Sequence, residues 1–462
     1  MIPMNNKLFG LTGADKKKII DRIRNRNRED RKDRETELHQ GQKYSNKIED
    51  IPEEYYKVEL LPGLKQLQIQ LSAAEKFGID NPFFKVHESV ASNETRIGDK
   101  TYINYSSYNY LGLCGHPRVS KAAKDAIDRY GTSASASRPV SGERPIHREL
   151  ERKLAEIHNT EDCVVFVSGH ATNVTTIGCL FGKDDLILHD ALAHNSIIQG
   201  AVLSGAKRLP FPHNDYVSLD KILEENRIKY KKVLIVLEGI YSMDGDIPQL
   251  PEFIALKKKH KLLLMVDEAH SLGVLGSTGR GIKEYFGING NDIDISMGTL
   301  SKTLCSCGGY IAGKRALVEN LKFNAPGFVY SVGMSPPLAA AALAALEIMI
   351  NEPERVNRLR NVGRKFYEMV KGVGLNTGFC QGFAIVPVIA GSSISSVKLS
   401  NALLENHINV QPIIYPAVEE RAARLRFFLC ASHTEEQLQY TVEILARECK
   451  KQKNSTMYSI SR

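Results

Sequence analysis

Five short apolar runs constrain this chain more than any other feature: CVVFVSG (163–169), DLILHD (185–190), KVLIVLEG (232–239), LLLMVDEAH (262–270) and DISMGT (294–299). Each is too short for a membrane span and lacks the polar/apolar alternation of a strand with one wet face. Such runs read as strands buried on both faces, which is the signature of parallel pairing. Helical or turn-rich sequence separates each from the next, so the fold class is α/β with a mostly parallel sheet. In such sheets chemistry gathers beyond the carboxyl ends of the strands. The polar residues that stand out here fall at those ends.

The flanking sequence fills in the organisation. Residues 1–60 read as a charged N-terminal arm and 61–115 as a segment leading into the body, with an amphipathic helix over 61–80 and strand-like aromatic content in TYINYSSYNYLGL (101–113). A large domain follows over 116–340, with helices at 116–131, ended by Gly131, and within 141–159. After Pro336-Pro337 a long helix begins at LAAAALAALEIMI and runs through ERVNRLRNVGRKFYEMVKGVG, and 341–462 reads as a smaller α+β domain: strand-like FAIVPVIA, INVQPII and ARLRFFLCA, a helix over 395–406 and a last helix over 434–451.

Charge and cysteine content narrow the classes of function. The formal net charge is +8, and Asp15–Lys43 alone carries eleven Lys/Arg against seven Asp/Glu. Signs alternate there and no aromatics interleave, so this segment reads as a solvated, partly helical extension or a docking arm for an acidic partner, not a nucleic-acid surface. The eight cysteines are scattered with no C-x-x-C pair, as expected of a reduced, cytoplasmic chain. No apolar run reaches the roughly 20 residues of a transmembrane helix, and MIPMNNKLFGLTGADKKK has no signal-peptide core.

Candidate chemistry comes strand end by strand end. In FVSGHATN (166–173) a strand turns into a helix at Gly169, where free N–H groups suit a phosphate. HDALAHNS (189–196) places His189 and His194 five apart, which is not the i,i+4 spacing of metal ligands on a helix. LEGIYSMDGD (237–246) offers Ser242 as a donor; Asp244 and Asp246 lack a third clustered ligand, so no metal is expected. Asp267 ends a buried strand and wants a protonated partner, with His270 three residues on. Lys302 lies among small residues, away from other charge; a desolvated lysine becomes a nucleophilic amine suited to a Schiff base. One ligand has a phosphate, a ring nitrogen wanting a carboxylate and an aldehyde wanting a lysine: pyridoxal 5′-phosphate (PLP).

With these motifs, and with SYNYLGL, SRPVSGERPIHRELE, VDEAHSLGVLGSTGRG, GTLSKT and ARLRFFLCASHT, the chain resembles the α-oxoamine synthases, fold-type-I PLP-dependent enzymes, over about residues 80–450. The family includes serine palmitoyltransferase, 8-amino-7-oxononanoate synthase, 2-amino-3-ketobutyrate CoA ligase and 5-aminolevulinate synthase. The resemblance implies a large domain with a seven-stranded, mostly parallel sheet and a smaller C-terminal domain. It also implies that Lys302 carries the cofactor, Asp267 pairs with the ring nitrogen, His270 with Ser242 nearby bonds the ring hydroxyl, and His194 stacks on the ring. Gly169, His170 and Thr299 hold the phosphate, and Ser331 reaches it from the partner subunit of a homodimer with shared active sites. Tyr108, Asn109 and Arg426 contact substrate, with Arg426 on the amino-acid carboxylate. The implied reaction condenses a small amino acid (Ser, Ala or Gly) with an acyl thioester and loses carbon dioxide, giving an α-amino ketone; aminotransfer stays an alternative. Ile414 stands twelve residues before Arg426, where bacterial serine palmitoyltransferases carry an arginine, and YSVGMSPP is one residue longer than the usual family run. SYNYLGL resembles serine palmitoyltransferases and polyketide-linked synthases, so an acyl-carrier protein is a possible donor beside acyl-CoA. A non-catalytic partner subunit would lack the lysine, and Lys302 is present.

Overall fold

The structure, a computed structural model, describes residues 48–76 and 80–460. The chain divides into two compact units, Met1–Asp80 and Asn81–Arg462. The described part of the first holds short 3₁₀ turns at Ile48–Asp50, Glu53–Tyr55 and Val58–Leu60 and a helix over Pro62–Lys76. Pro62 opens that helix, where a missing N–H costs nothing. The charged stretch Asp15–Lys43 lies outside the described residues.

The second unit begins with β1 (Glu94–Ile97) and β2 (Lys100–Asn104). Its centre is a seven-stranded sheet: β3 (Asp162–Phe166), β4 (Leu186–Asp190), β5 (Lys207–Phe211), β6 (Val233–Glu238), β7 (Leu263–Asp267), β8 (Ile295–Thr299) and β9 (Gly309–Gly313), in the order β3-β9-β8-β7-β6-β4-β5. Pairings are parallel except for β9, which runs antiparallel to both its neighbours. The five apolar runs are β3, β4, β6, β7 and β8. β4, β6 and β8 are buried along their whole length, and each Leu, Ile or Val so placed stabilises the fold by about 1.5–3 kcal/mol.

Two strands of this sheet escaped the sequence reading for physical reasons. β5 (KRLPF) is an edge strand, mostly exposed, and carries Lys207, Arg208 and Pro210; charge and proline are tolerated, and protective, only at an edge. β9 (GYIAG) is fully buried but glycine-bounded. It follows β8 directly through Leu300–Gly308, without the crossover helix that marked the other strands.

Glycine in β9 serves close packing. A Cβ on Gly309 would stand 2.5 Å from Thr172 Oγ1 and 2.8 Å from Gly169 Cα, so the start of helix Gly169–Leu180 presses directly on the sheet. Gly309→Ala is expected to cost about 1–3 kcal/mol through overpacking, read as a lower urea midpoint; an unchanged midpoint would show that the helix has slack over β9.

The C-terminal part contributes β10 (Ile385–Ile389), β11 (Ile408–Asn409), β12 (Pro412–Ile413) and β13 (Arg424–Phe428). A small antiparallel sheet has the order β10-β13-β12, while β11 pairs parallel with β2, tying the two ends of this unit together. The helices expected over 395–406 and 434–451 run Ser393–Glu405 and Glu435–Ile460. The one long helix expected after Pro336-Pro337 is two, Pro336–Asn351 and Glu354–Gly372, because Pro353 disfavours helical backbone at Glu352 and starts a new helix; alanine-rich Pro336–Asn351 packs against Pro117–Tyr130 and Pro145–His158. One apolar core continues from Leu150 through Leu188 and Leu264 to Phe366, Phe427 and Leu445. Among the described residues no helix is long and apolar enough to cross a membrane.

Candidate active site

The carboxyl ends of β3, β4, β6, β7 and β8 open on one edge of the sheet, and the sequence-selected residues meet there. After β3, Ser168 caps the next helix, its hydroxyl accepting from Ala171 N at 3.3 Å. The free N–H groups of Gly169 and exposed His170 stand at that helix start. A Cβ on Gly169 would come within 2.7 Å of Thr299 Oγ1 at the end of β8, so only glycine leaves a cradle between helix and hydroxyl.

After β4, His194 caps helix Asn195–Ser204; Nδ1 accepts from Ser196 N at 3.3 Å and lies 2.7 Å from Ser196 Oγ. His194 N donates to Glu238 Oε1 at 2.7 Å. Burial lowers the His194 pKa, helped by Lys302 and His170 and opposed by Asp267. His189 is buried and turned elsewhere, to Asp190 O and Arg208. Asp267, at the end of β7, accepts from Asn173 Nδ2 at 2.8 Å and Ala269 N at 2.9 Å. His270 is fully inside, 2.7 Å by Nδ1 from the Tyr110 hydroxyl, with Phe428 parallel at 6.2 Å.

Lys302 sits in the connection Leu300–Gly308 between two adjacent antiparallel strands. Leu300 N donates to Gly308 O, Ser306 N to Leu300 O and Cys305 N to Lys302 O, all at 2.9–3.0 Å. Cys305 takes the left-handed conformation (φ 49°) that tightens this turn, and its thiol donates to Asn109 Oδ1 at 3.1 Å. Cys307 is exposed. Burial pulls the Lys302 ammonium down to about 8, against the pull of Asp267 and Glu238. Its Nζ lies 5.7 Å from the centre of the Tyr108 ring.

β13 supplies Arg424 and Arg426, two residues apart and so on one face. Both reach the loop after β6: Arg424 Nη1 donates to Met243 O and Asp244 Oδ1, and Arg426 Nη1 to Ser242 O at 2.9 Å. Arg426 Nε is buried without a partner, and burial lowers the pKa of this guanidinium. A desolvated cation with an open donor is a ready site for a carboxylate. Asp246, the other carboxylate of that loop, pairs with His213, whose pKa rises to about 10 between Asp190 and Asp246.

Asn109 spends its amide on its own turn: Oδ1 accepts from Leu113 N (2.8 Å) and Cys114 N (3.2 Å), and Nδ2 donates to Ala91 O. Ser331 is half-buried in the surface segment before helix Pro336–Asn351. A cavity of about 370 Å³ opens beside Lys302, walled by Tyr108, Asn109 and Cys305 and by the hydroxyls of Ser106, Ser301 and Ser306.

Glu238 was missed by the sequence reading. It closes β6 as Asp267 closes β7, directly across in register, and its pKa is raised to about 8 by burial and by Asp267. The signal was present: a carboxylate ending a buried apolar run, the same signal that marked Asp267.

The sequence pattern of aminotransferases of class I and II matches residues 100–445. The chain belongs to that family. It is 41% identical to 8-amino-7-oxononanoate synthase of Treponema denticola over 357 residues, 77% of this chain and 90% of the relative. It is 40% identical to the Symbiobacterium thermophilum enzyme of the same name over 390 residues, 84% of this chain and 96% of the relative. Serine palmitoyltransferase of Sphingomonas wittichii superposes with a TM-score of 0.81 at 31% identity, covering 85% of this chain and 98% of that one. Serine palmitoyltransferase of S. paucimobilis, with PLP and myriocin bound, superposes with a TM-score of 0.80 at 30% identity over the same shares. These likenesses place the chain among the α-oxoamine synthases, with the fold of type-I PLP-dependent transferases.

Proposed function

We propose that this protein is a PLP-dependent C-acyltransferase that condenses a small amino acid with an acyl thioester, releasing carbon dioxide and a thiol and forming an α-amino ketone. The single observation that carries this is the convergence of the Lys302 amine, the Asp267 carboxylate and the Gly169–Thr299 cradle on one sheet edge, with an open Arg426 guanidinium facing it. The residues fit PLP: the cradle would take the phosphate with the N–H groups of Gly169 and His170, Asp267 the ring nitrogen, His270 with Ser242 the ring oxygen, and His194 the ring face. When bound, PLP supplies an aldehyde that links to primary amines and a protonated ring that draws electrons from carbon.

The chain's own residues do the rest. Lys302 would hold the cofactor through its amine and, when that amine is free, would hold and move a proton at Nζ. Arg426 binds the amino-acid carboxylate and so orients the α-carbon. Tyr108, fixed by the Asn109 turn, walls the second substrate's entrance. The cavity beside Lys302, with serine hydroxyls among a mostly apolar wall, is the place for the acyl thioester. In this reading the enzyme is a cytoplasmic homodimer and Ser331 serves the partner's cofactor phosphate. Aminotransfer is separated from condensation by thiol release that requires both substrates.

Two outcomes test this. Only a neutral Lys302 amine could link to the cofactor's aldehyde, with loss of water, so cofactor association with the cofactor-free enzyme should speed up as pH rises through about 8, the Lys302 value, and level off above it; a rise delayed to about 10.5, the ordinary lysine value, would overturn the assignment. The sign for stability follows: between about 8 and 10.5 the unfolded chain binds more protons at this lysine, so folding is favoured as pH rises there. Arg426→Ala should weaken amino-acid binding roughly 10- to 150-fold, the worth of a hydrogen bond to a charged group, read from the cofactor's absorbance in an amino-acid titration; equal binding would remove Arg426 from the carboxylate site. Running that titration over Gly, Ala and Ser, then coenzyme A against carrier-protein donors, identifies the substrates.

A further inference from the structure

We infer that Tyr110 is a positioning residue that fixes the proton of His270 on Nε2 and so makes this imidazole a hydrogen-bond donor toward the cofactor. The inference rests on the reading above in which His270 serves the ring oxygen of PLP. Tyr110 is wholly buried, and its hydroxyl lies 2.7 Å from His270 Nδ1. Which atom carries the proton follows from satisfaction of both groups.

His270 is held neutral. Burial drives its pKa well below the ordinary 6.5, and Lys302, Arg426 and His194 add repulsion. A neutral imidazole has one N–H and one lone pair. Tyr110 keeps its proton, because burial pushes the phenol well above 10. Among the described residues its hydroxyl has no hydrogen-bond partner besides Nδ1. If Nδ1 carried the imidazole proton, the tyrosine would accept it and its own O–H would be stranded in a dry core. A stranded buried donor disfavours that arrangement by roughly 5- to 150-fold. The phenol therefore donates to Nδ1, and the ring proton sits on Nε2.

The packing holds the ring in that pose. Phe428 lies parallel to it, with ring centres 6.2 Å apart and an 8° tilt, and Tyr108 meets it edge-on at 6.2 Å. Tyr110 N and O are tied to Tyr108 O and Ala431 N, so the hydroxyl is anchored from both sides of its backbone. The functional consequence is sign: an Nε2–H stabilises a negatively charged ring oxygen, whereas the other tautomer would turn a lone pair toward it.

The test uses the full chain with ¹⁵N-labelled histidine, free of cofactor. The His270 ring signals, assigned by their loss in His270→Asn, should show the proton on Nε2 alone. Tyr110→Phe, which keeps the ring and loses only the hydroxyl, should show both tautomers. Wild type protonated at Nδ1, or a Phe variant still protonated at Nε2 alone, would overturn the inference; the wild-type result stands even if the variant fails to fold. A second readout is binding of PLP against its 3-deoxy analogue, which lacks the ring oxygen. Wild type should prefer PLP, and Tyr110→Phe should reduce that preference about tenfold; an unreduced preference counts against Tyr110. If wild type binds both equally, the placement of His270 on the ring oxygen fails, and the nitrogen signals still decide the role of Tyr110.

Discussion

Lys302→Ala is expected to cut carbon dioxide release from amino acid plus acyl thioester to below about one thousandth of wild type. In the proposed mechanism the lysine contributes covalent attachment and proton transfer, and a positioned acid–base group alone is worth about 10²–10⁴-fold. The loss should be chemical and not structural. The turn that carries Lys302 is held by backbone bonds between Leu300, Ser306 and Gly308, none of which uses the side chain. Removing a partly desolvated cation should leave the melting temperature equal or higher. Cofactor should still enter the cradle, bound non-covalently and removable by dialysis. A variant that still releases carbon dioxide at the wild-type rate would end the covalent reading.

Asp267→Asn is expected to lower turnover about 10²–10⁴-fold while leaving cofactor in place. The amide has the shape of the carboxylate, and its oxygen can still accept from Asn173 Nδ2 or Ala269 N. It carries no charge to hold a proton on the ring nitrogen, so the electron-withdrawing power of the ring falls. The signature that separates this from misfolding is a KM for the amino acid within a few-fold of wild type beside a collapsed kcat. A proportionate rise in KM with kcat intact would place Asp267 in substrate binding instead. Glu238, across from it in register, is not placed to substitute: its two oxygens are taken by His194 N and Ser242 N.

Much of the site was legible because its residues obey local rules. A buried parallel strand must be apolar throughout, so a polar residue at its carboxyl end stands out: Asp267 was found that way, and Glu238 could have been. Gly169 was legible as a strand-to-helix turn. What escaped was set by partners distant in sequence. The Asn109 amide looked free to meet a substrate; in the fold it braces the 109–114 turn and meets the Cys305 thiol, a contact across nearly two hundred residues. Cys305, three residues after Lys302, adopts the left-handed turn, which nothing in its local sequence marks. Asp244 and Asp246, two residues apart in one loop, take different distant partners, Arg424 for the first and His213 for the second.

By itself the sequence determined the α/β class, five of the seven central strands and the kinds of group at their ends, because burial on both faces dictates composition residue by residue. Only the tertiary structure decided that β9 runs antiparallel beside β8, since strand direction depends on whether a connection turns back or crosses over, not on the strand's own residues. The same holds for the Arg426 guanidinium, which the separate β13 carries to the loop after β6, and for the Tyr110–His270 hydrogen bond. Those are choices of long-range packing, and nothing in local periodicity encodes which distant polar group will satisfy which.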